Sequence, residues 1–218
     1  MKKIAIIGTV GLPAKYGGWE TLVDELTKKL SKSFDFTVYC SSKKYSSKIS
    51  EYNGVKLEYI NLDANGFQSI FYDLFSMLKA IKYADTILVL GVSGCIFLPF
   101  IKLISKRKII VNIDGLEWRR GKWGRVAKWF LKISEYVAVR VADVVVADNK
   151  AIQEYVNCEY GRKSVLIAYG GDHAVRAQRD DSVLLRYGFG DLPYAFKVCR
   201  IAPENNIVLI IKSFDNYR

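Results

Sequence analysis

Short apolar runs alternate with helical patterns along most of this chain, and few folds accept that order. The runs fall at residues 3–7, 35–40, 55–60, 86–90, 109–113, 144–147 and 164–168. Helical spacing separates them at 20–31, 67–82, 95–105, 124–142 and 150–155. Brief apolar strands joined by helices predict an α/β fold, a doubly wound parallel sheet with helices on both faces. Ligands of such sheets bind beyond the carboxyl ends of the strands. Chemistry is therefore expected at residues 8–20, 91–94, 114–118, 148–149 and 169–173.

The first of these segments is the most informative. Ile4, Ala5, Ile6 and Ile7 form an unbroken apolar run suited to a strand buried on both faces. Gly8, Gly11, Gly17 and Gly18 follow, and then a helix with Leu22, Val23, Leu26 and Leu30 on one stripe. Glycines at a strand-to-helix turn leave main-chain N–H groups uncovered beside the positive end of a helix, a setting that holds phosphates. They also simply make tight turns, and both readings are open on this stretch. A dinucleotide fingerprint is disfavoured. It needs G-x-G-x-x-G and an acid about 20 residues on, whereas Gly8 and Gly11 are differently spaced and the second strand ends in Cys40-Ser41-Ser42.

Half of the 218 residues are apolar, enough for a real core. No secretory signal is expected, because the first apolar run breaks at Gly8. Residues 86–104 are the most lipid-like, but Gly91, Ser93, Gly94 and Pro99 interrupt them, as in a strand turning into a buried helix. Cys40, Cys95, Cys158 and Cys199 are widely spaced, and read as reduced core residues of a cytoplasmic protein. His173 is the one histidine, which excludes a multi-histidine metal site. No metal site is expected.

The formal charge of +11 leaves nucleic acid, anionic membranes and phosphorylated substrates open as partners. In the helical stretch from Gly124, Val126, Phe130, Ile133 and Val137 are expected to face the core. Arg125, Lys128 and Lys132 share another face near Trp123 and Trp129. A cationic face flanked by tryptophans suits an anionic bilayer, although a merely solvated face has the same pattern. No nucleic-acid motif accompanies the charge, so nucleic acid is not expected as a partner.

Two strand-end loops are rich in chemistry. Asn112-Ile113-Asp114-Gly115-Leu116-Glu117-Trp118-Arg119-Arg120 sets carboxylates, guanidiniums and an indole at the tip of a strand. A carboxylate there could orient a hydroxyl, and an arginine could hold a phosphate; a turn in which Asp114 caps the next element is the plainer alternative. Asp148-Asn149 fits an N-cap for the following helix equally well. Beyond Ala168 the chain becomes polar, with a short helix before Gly190. Residues 194–200 then suggest a new strand, and 207–214 an amphipathic helix. One strand and one helix do not make a core. The expected division is a first domain at 1–173, a connection at 174–192 and the start of a second domain at 193–218.

Taken together, five stretches resemble the N-terminal part of a retaining, GT-B-fold glycosyltransferase of family 4, in its bacterial rhamnosyltransferase-like subgroup. They are Gly8-Thr9-Val10-Gly11-Leu12-Pro13 with Tyr16-Gly17-Gly18-Trp19-Glu20-Thr21, Asn112 to Trp118, Ala147-Asp148-Asn149, Tyr169-Gly170-Gly171-Asp172, and Arg200 to Asn206. The resemblance implies two Rossmann-like domains across a cleft. The first would hold a polyprenyl-diphosphate-linked saccharide at the inner membrane face, and the second most of a nucleotide-sugar, such as dTDP-rhamnose, that serves as substrate rather than cofactor. By position, Gly17 and Gly18 would lie against the donor diphosphate. Asp114 stands where many relatives place a histidine near the transferred sugar, and is the implied catalytic residue. Arg200 matches an arginine that contacts the diphosphate, with Asn205 near the place of its usual lysine partner. Tyr16, Trp19, Glu20, Glu117, Trp118, Arg119, Asp148 and Asp172 are acceptor-side or loop candidates.

The implied activity is sugar transfer in capsule, exopolysaccharide or O-antigen synthesis, by a protein peripheral on the inner face of the plasma membrane. Family members carry a C-terminal pair of glutamates beyond the point reached here, so little transfer is expected of these 218 residues alone. A competing reading is a non-catalytic acceptor-binding module, or one subunit of a split transferase. Donor binding separates the two, and a nicotinamide-dependent oxidoreductase is disfavoured by the missing ribose acid.

Overall fold

The computed structural model describes residues 1–15, 17–172, 175, 180–190, 194–199, 201 and 205–215. The chain divides into two compact units, one of residues 1–119 and 123–169, the other of residues 120–122 and 170–218.

In the first unit the strands are β1 (Lys2–Ile7), β2 (Phe34–Ser41), β3 (Glu51–Tyr52), β4 (Val55–Ile60), β5 (Thr86–Leu90), β6 (Lys108–Asn112), β7 (Val144–Ala147) and β8 (Val165–Leu166). Helices α1 (Gly18–Leu30), α2 (Gln68–Ala80), α3 (Leu98–Ile104), α4 (Arg125–Val141) and α5 (Lys150–Tyr160) connect them, with single 3-10 turns at Cys95–Phe97 and Glu117–Arg119. The strand order is β3-β4-β2-β1-β5-β6-β7-β8. All pairs are parallel except β3 with β4. This is the Rossmann-like α/β sheet that the alternation predicts.

The sheet has two apolar faces because its central strands carry unbroken apolar runs, such as residues 4–7 and 87–90. Ile6 pairs with Val38 on one side and Leu88 on the other, and this row faces α1. Ala5, Ile7, Ile87, Val89, Val111 and Val145 face the opposite way, into a core shared with α2, α3, α4 and α5. Right-handed crossovers account for the split, since the chain moves outward once from β1 and then works back across the sheet. Strand boundaries agree with the expected ones within a residue or so up to β7, while the expected strand at 164–168 shrinks to Val165–Leu166.

Three expectations are corrected. In α4 the fully buried residues are Leu131, Ser134, Glu135, Ala138 and Val139; Phe130 and Val137 pack against the core as expected, whereas Ile133 is half-buried and Val126 exposed. Polar partners reverse the apolar count: Ser134 Oγ donates to Val92 O at 2.5 Å and accepts from Ile96 N at 2.9 Å. Lys132 accordingly leaves the outer face and joins a buried network described below. Cys40 and Cys95 are core residues, but Cys158 is exposed on α5.

The second unit holds α6 (Asp181–Arg186) and α7 (Ile207–Asp215). Asp180 caps α6 by accepting from Ser182 N, and α7 buries none of its residues. Residues 194–199 form no strand. An alternating segment needs a neighbour to pair with, and among the described residues this unit offers none.

Candidate functional site

The loop from β1 to α1 is held by one carboxylate. Glu20, buried in the first turn of α1, accepts from the Thr9 hydroxyl at 2.8 Å, from Val10 N at 2.7 Å and from Gly17 N at 2.8 Å. Its Gly17 contact is the return half of a capping box. Tyr72 OH donates to Thr9 O and Tyr45 OH to Pro13 O, which fixes the remaining path. Glu20 is therefore a loop residue, fully committed inside the fold, and does not point toward an acceptor.

With Gly17 as its N-cap, α1 has no cap side chain over its first-turn N–H groups. Gly18 is exposed, with open space where a Cβ would stand. Among the described residues no cap side chain covers the Gly18 and Trp19 N–H groups, which leaves them open to an anion beside the Glu20 carboxylate of the first turn.

Three more strand ends converge beside this turn. Trp19 meets Tyr169, which follows β8, edge to face at 6.1 Å between ring centroids. Asn112, the last residue of β6, donates from Nδ2 to Tyr169 OH at 3.5 Å. Burial first, then the Asp114 and Asp148 carboxylates, hold the Tyr169 phenol above its ordinary pKa, so it stays neutral. Asp114 adopts a left-handed conformation, φ 58°, with its N–H on Asn112 Oδ1 at 3.2 Å. Such a backbone is uncommon for a residue with a Cβ and is concentrated at functional sites. Asp148 accepts from Asn149 Nδ2 at 2.8 Å, and Asn149 caps α5 through Ile152 N. The cluster thus combines an anion-ready helix start, two aromatic rings, an amide and two carboxylates, the usual materials for holding a polyhydroxylated ring next to a phosphate.

Other predicted residues lie elsewhere. Trp118 turns toward α4, where the Lys132 ammonium sits 4.6 Å from its ring. Lys132 also bonds Tyr155 OH at 2.6 Å and Glu159 at 2.7 Å. Burial lowers its pKa, and these two hydrogen bonds, with the charge interactions of Tyr155 and Glu135, more than offset that. Beneath it, buried Glu135 accepts from Tyr155 OH at 2.6 Å and from Tyr160 OH. This network pins the 3-10 turn of Glu117–Arg119 to α4 and α5. Glu117 accepts from Trp123 Nε1 at 3.0 Å, and Arg119 lies over Trp118. Arg125 is exposed and Lys128 half-buried, both at the start of α4.

Asp172 and Asn205 belong to the second unit, where Lys197 Nζ donates to Asn205 O at 2.8 Å. Tyr16, His173 and Arg200 lie outside the described residues. Among the described residues no three His, Cys, Asp or Glu side chains converge as metal ligands. Sequence reasoning did not single out Asn112 and Tyr169 as site residues, although both stand in strand-end loops. Their meeting depends on β6 and β8 flanking β7, which spacing alone does not reveal.

Residues 1–172 match the family model described as "Domain of unknown function (DUF1972)". The chain belongs to this family. No curated protein matches the sequence. Among solved structures, this DUF1972 chain resembles a sucrose-phosphate synthase from Thermosynechococcus elongatus, with TM-score 0.63 and 13% identity over 78% of the chain and 49% of the synthase. HepE from Anabaena, solved in complex with UDP, gives TM-score 0.58 and 16% identity over 88% of the chain and 50% of HepE. UGT2 from Phytolacca americana, complexed with UDP-2fluoro-glucose and pterostilbene, gives 0.51 and 10% over 86% and 56%. At such identities the likeness is one of fold. The DUF1972 chain spans about half the length of these proteins.

Proposed function

We propose that this chain forms the acceptor-side half of a GT-B sugar transferase, which moves a sugar from a nucleotide-diphosphate donor to a lipid-linked saccharide. The observation that carries the reading is the Trp19–Tyr169 contact, which sets the glycine-capped start of α1 beside Asn112, Asp114 and Asp148. The first-turn N–H groups of Gly18 and Trp19 would meet the leaving diphosphate, stabilising charge as it develops. Asp114 would accept a hydrogen bond from the sugar, and Trp19, Tyr169 and Asp148 would hold the acceptor ring. The bound nucleotides of HepE and UGT2 support a nucleotide-sugar as the donor class.

Finer parts of the proposal rest on the motif resemblance. These are transfer with retention, dTDP-rhamnose as donor, a polyprenyl-diphosphate-linked acceptor, and a place in capsule, exopolysaccharide or O-antigen synthesis at the inner face of the plasma membrane. By the same resemblance Arg200 and Asn205 are proposed as donor-binding residues, with residues 174–192 as a connection and 193–218 beginning the donor-binding domain. No described helix is long and apolar enough to cross a membrane.

Amide NMR during titration with UDP and dTDP tests the reading. Gly17, Gly18 and Trp19 amides should shift first. If no nucleoside diphosphate moves them, the transferase reading fails and a non-catalytic acceptor module takes its place.

A further inference from the structure

Helix α2 buries polar side chains among its core residues and leaves three phenylalanines outside. Ser69, Tyr72, Asp73 and Ser76 face the sheet together with Met77 and Ala80. The opposite side carries Phe67, Phe71 and Phe75, which are 75%, 40% and 48% exposed, at the four-residue spacing of one stripe. This is not a misplaced helix, because each inward polar side chain has a partner. Ser69 Oγ donates to Gly66 O at 2.6 Å, and Ser76 Oγ to Tyr72 O at 2.7 Å. Tyr72 OH donates to Thr9 O, and Asp73 Oδ2 accepts from Gly94 N at 3.0 Å. The Tyr72 and Asp73 bonds reach outside the helix, so they fix its rotation and hold the phenylalanines outward.

The apolar surface continues. Helix α3 is the next helix on the same face of the sheet and exposes Phe100, Leu103 and Ile104. A cleft of about 470 Å³ opens beside Phe75, between Tyr59, Leu78 and Ile81. Patches of this kind on a folded chain mark a surface that something covers.

Charge decides what covers it. Lys79 and Lys82 follow the stripe on α2, and Lys102, Lys106, Arg107 and Lys108 follow or flank α3. Residues 86–113 contain no acid at all. Glu58, Asp85 and Asp143 border the face and pair with Lys79, Arg107 and Lys102, which leaves the exposed Lys82, Lys106 and Lys108 as its excess positive charge. A second copy packed by a twofold would set these cations against themselves. An anionic lipid surface accepts both features, with rings in the acyl boundary and lysines among the headgroups.

We propose that the outer face of α2 and α3 is the element that docks this protein on an anionic bilayer. The inference rests on the transferase reading for its purpose, a lipid-linked acceptor, and it moves the main membrane contact from the basic start of α4 to the phenylalanine face.

Flotation with vesicles of phosphatidylcholine, alone or with about a third phosphatidylglycerol, tests it. Wild-type protein should float with the anionic vesicles only. Phe71→Ser with Phe75→Ser should lose about tenfold in partitioning while keeping its circular dichroism and thermal midpoint, and Arg125→Ser with Lys128→Ser should lose less. Unchanged flotation of the phenylalanine variant overturns the proposal, and so does a wild-type protein that floats with neither vesicle. A dimer that dissolves in the phenylalanine variant, without flotation, assigns the face to a second copy instead. Nucleotide titration of the same preparations keeps the two ideas apart. Protein that floats but binds no nucleoside diphosphate retains the docking face and loses the transferase reading, and the reverse result does the opposite.

Discussion

The Glu20 carboxylate lies 2.8 Å from the Thr9 hydroxyl, joining the first turn of α1 to the end of β1 across the glycine loop. The same Oε1 also accepts from Val10 N, and Oε2 from Gly17 N. Removing it leaves three donors in the loop without their acceptor. Glu20→Ala should cost about 3 kcal/mol, and Glu20→Gln about half of that. Urea denaturation measures both, and a loss below about 1 kcal/mol for Glu20→Ala would show that the loop holds itself.

Glycines in this loop should divide sharply into two kinds. At Gly8, φ is +92° and a Cβ would stand 2.0 Å from Leu90 O, so Gly8→Ala should prevent folding or cost more than about 4 kcal/mol. A Cβ at Gly18 meets nothing within 4 Å. Gly18→Ala should leave stability within about 0.5 kcal/mol, and nucleoside diphosphate affinity should fall. Thermal midpoints read the first effect and calorimetric titration the second. Equal nucleotide affinity in wild type and Gly18→Ala would remove the diphosphate from this turn.

Asp73 makes stability depend on pH. Burial lifts its carboxyl from 3.8 to about 8, against the lowering effect of the Gly94 N–H. Between those values the folded chain keeps a proton that the unfolded chain has released. The stabilisation is therefore whole below about pH 4, and declines by up to about 1.4 kcal/mol per unit until about pH 8. Asp73→Asn keeps an acceptor for Gly94 and cannot ionise. Its thermal midpoint should vary less than that of wild type between about pH 5 and 8. Parallel pH profiles for the two proteins would contradict the assignment.

Asp114 and Tyr169 offer the direct test of the site. In the intact protein, Asp114→Asn should lower kcat about 100-fold with donor KM little changed. Tyr169→Phe should raise acceptor KM while sparing donor KM, because its hydroxyl meets Asn112 beside the acceptor residues. Steady-state kinetics with each substrate varied decides between these roles. A uniform loss in both variants would indicate a structural effect.

Much of the sheet was legible because its strands are apolar runs between glycines and polar turns. β4, β5 and β7 fall on their expected residues, and Asn149 caps α5 as its position after an apolar run suggests. Helix faces were harder to read. In α2 and α4 the inward residues include Asp73, Ser134 and Glu135, each hydrogen-bonded to a partner distant in sequence, and Ser76, which bonds back to Tyr72 O within its own helix. Counting apolar residues cannot foresee a carboxylate that pays for its burial through Tyr155 and Tyr160. β3 was missed for a related reason: two residues, Glu51 and Tyr52, pair only because Gly54 turns the chain back on β4. Within the site, the strand-end rule located the loops correctly. It could not say that Trp118 turns away while Tyr169 reaches across to Asn112.

The outermost strands, β3 and β8, are two residues long each. Sheets grow and aggregate by adding strands along exposed main-chain edges, and an edge this short gives an incoming strand almost nothing to zip against. The two-residue β3 and β8 edges therefore offer little for main-chain recruitment. What it gathers around itself must be chosen by side chains, and the helical side of the sheet is where the chain has set them out.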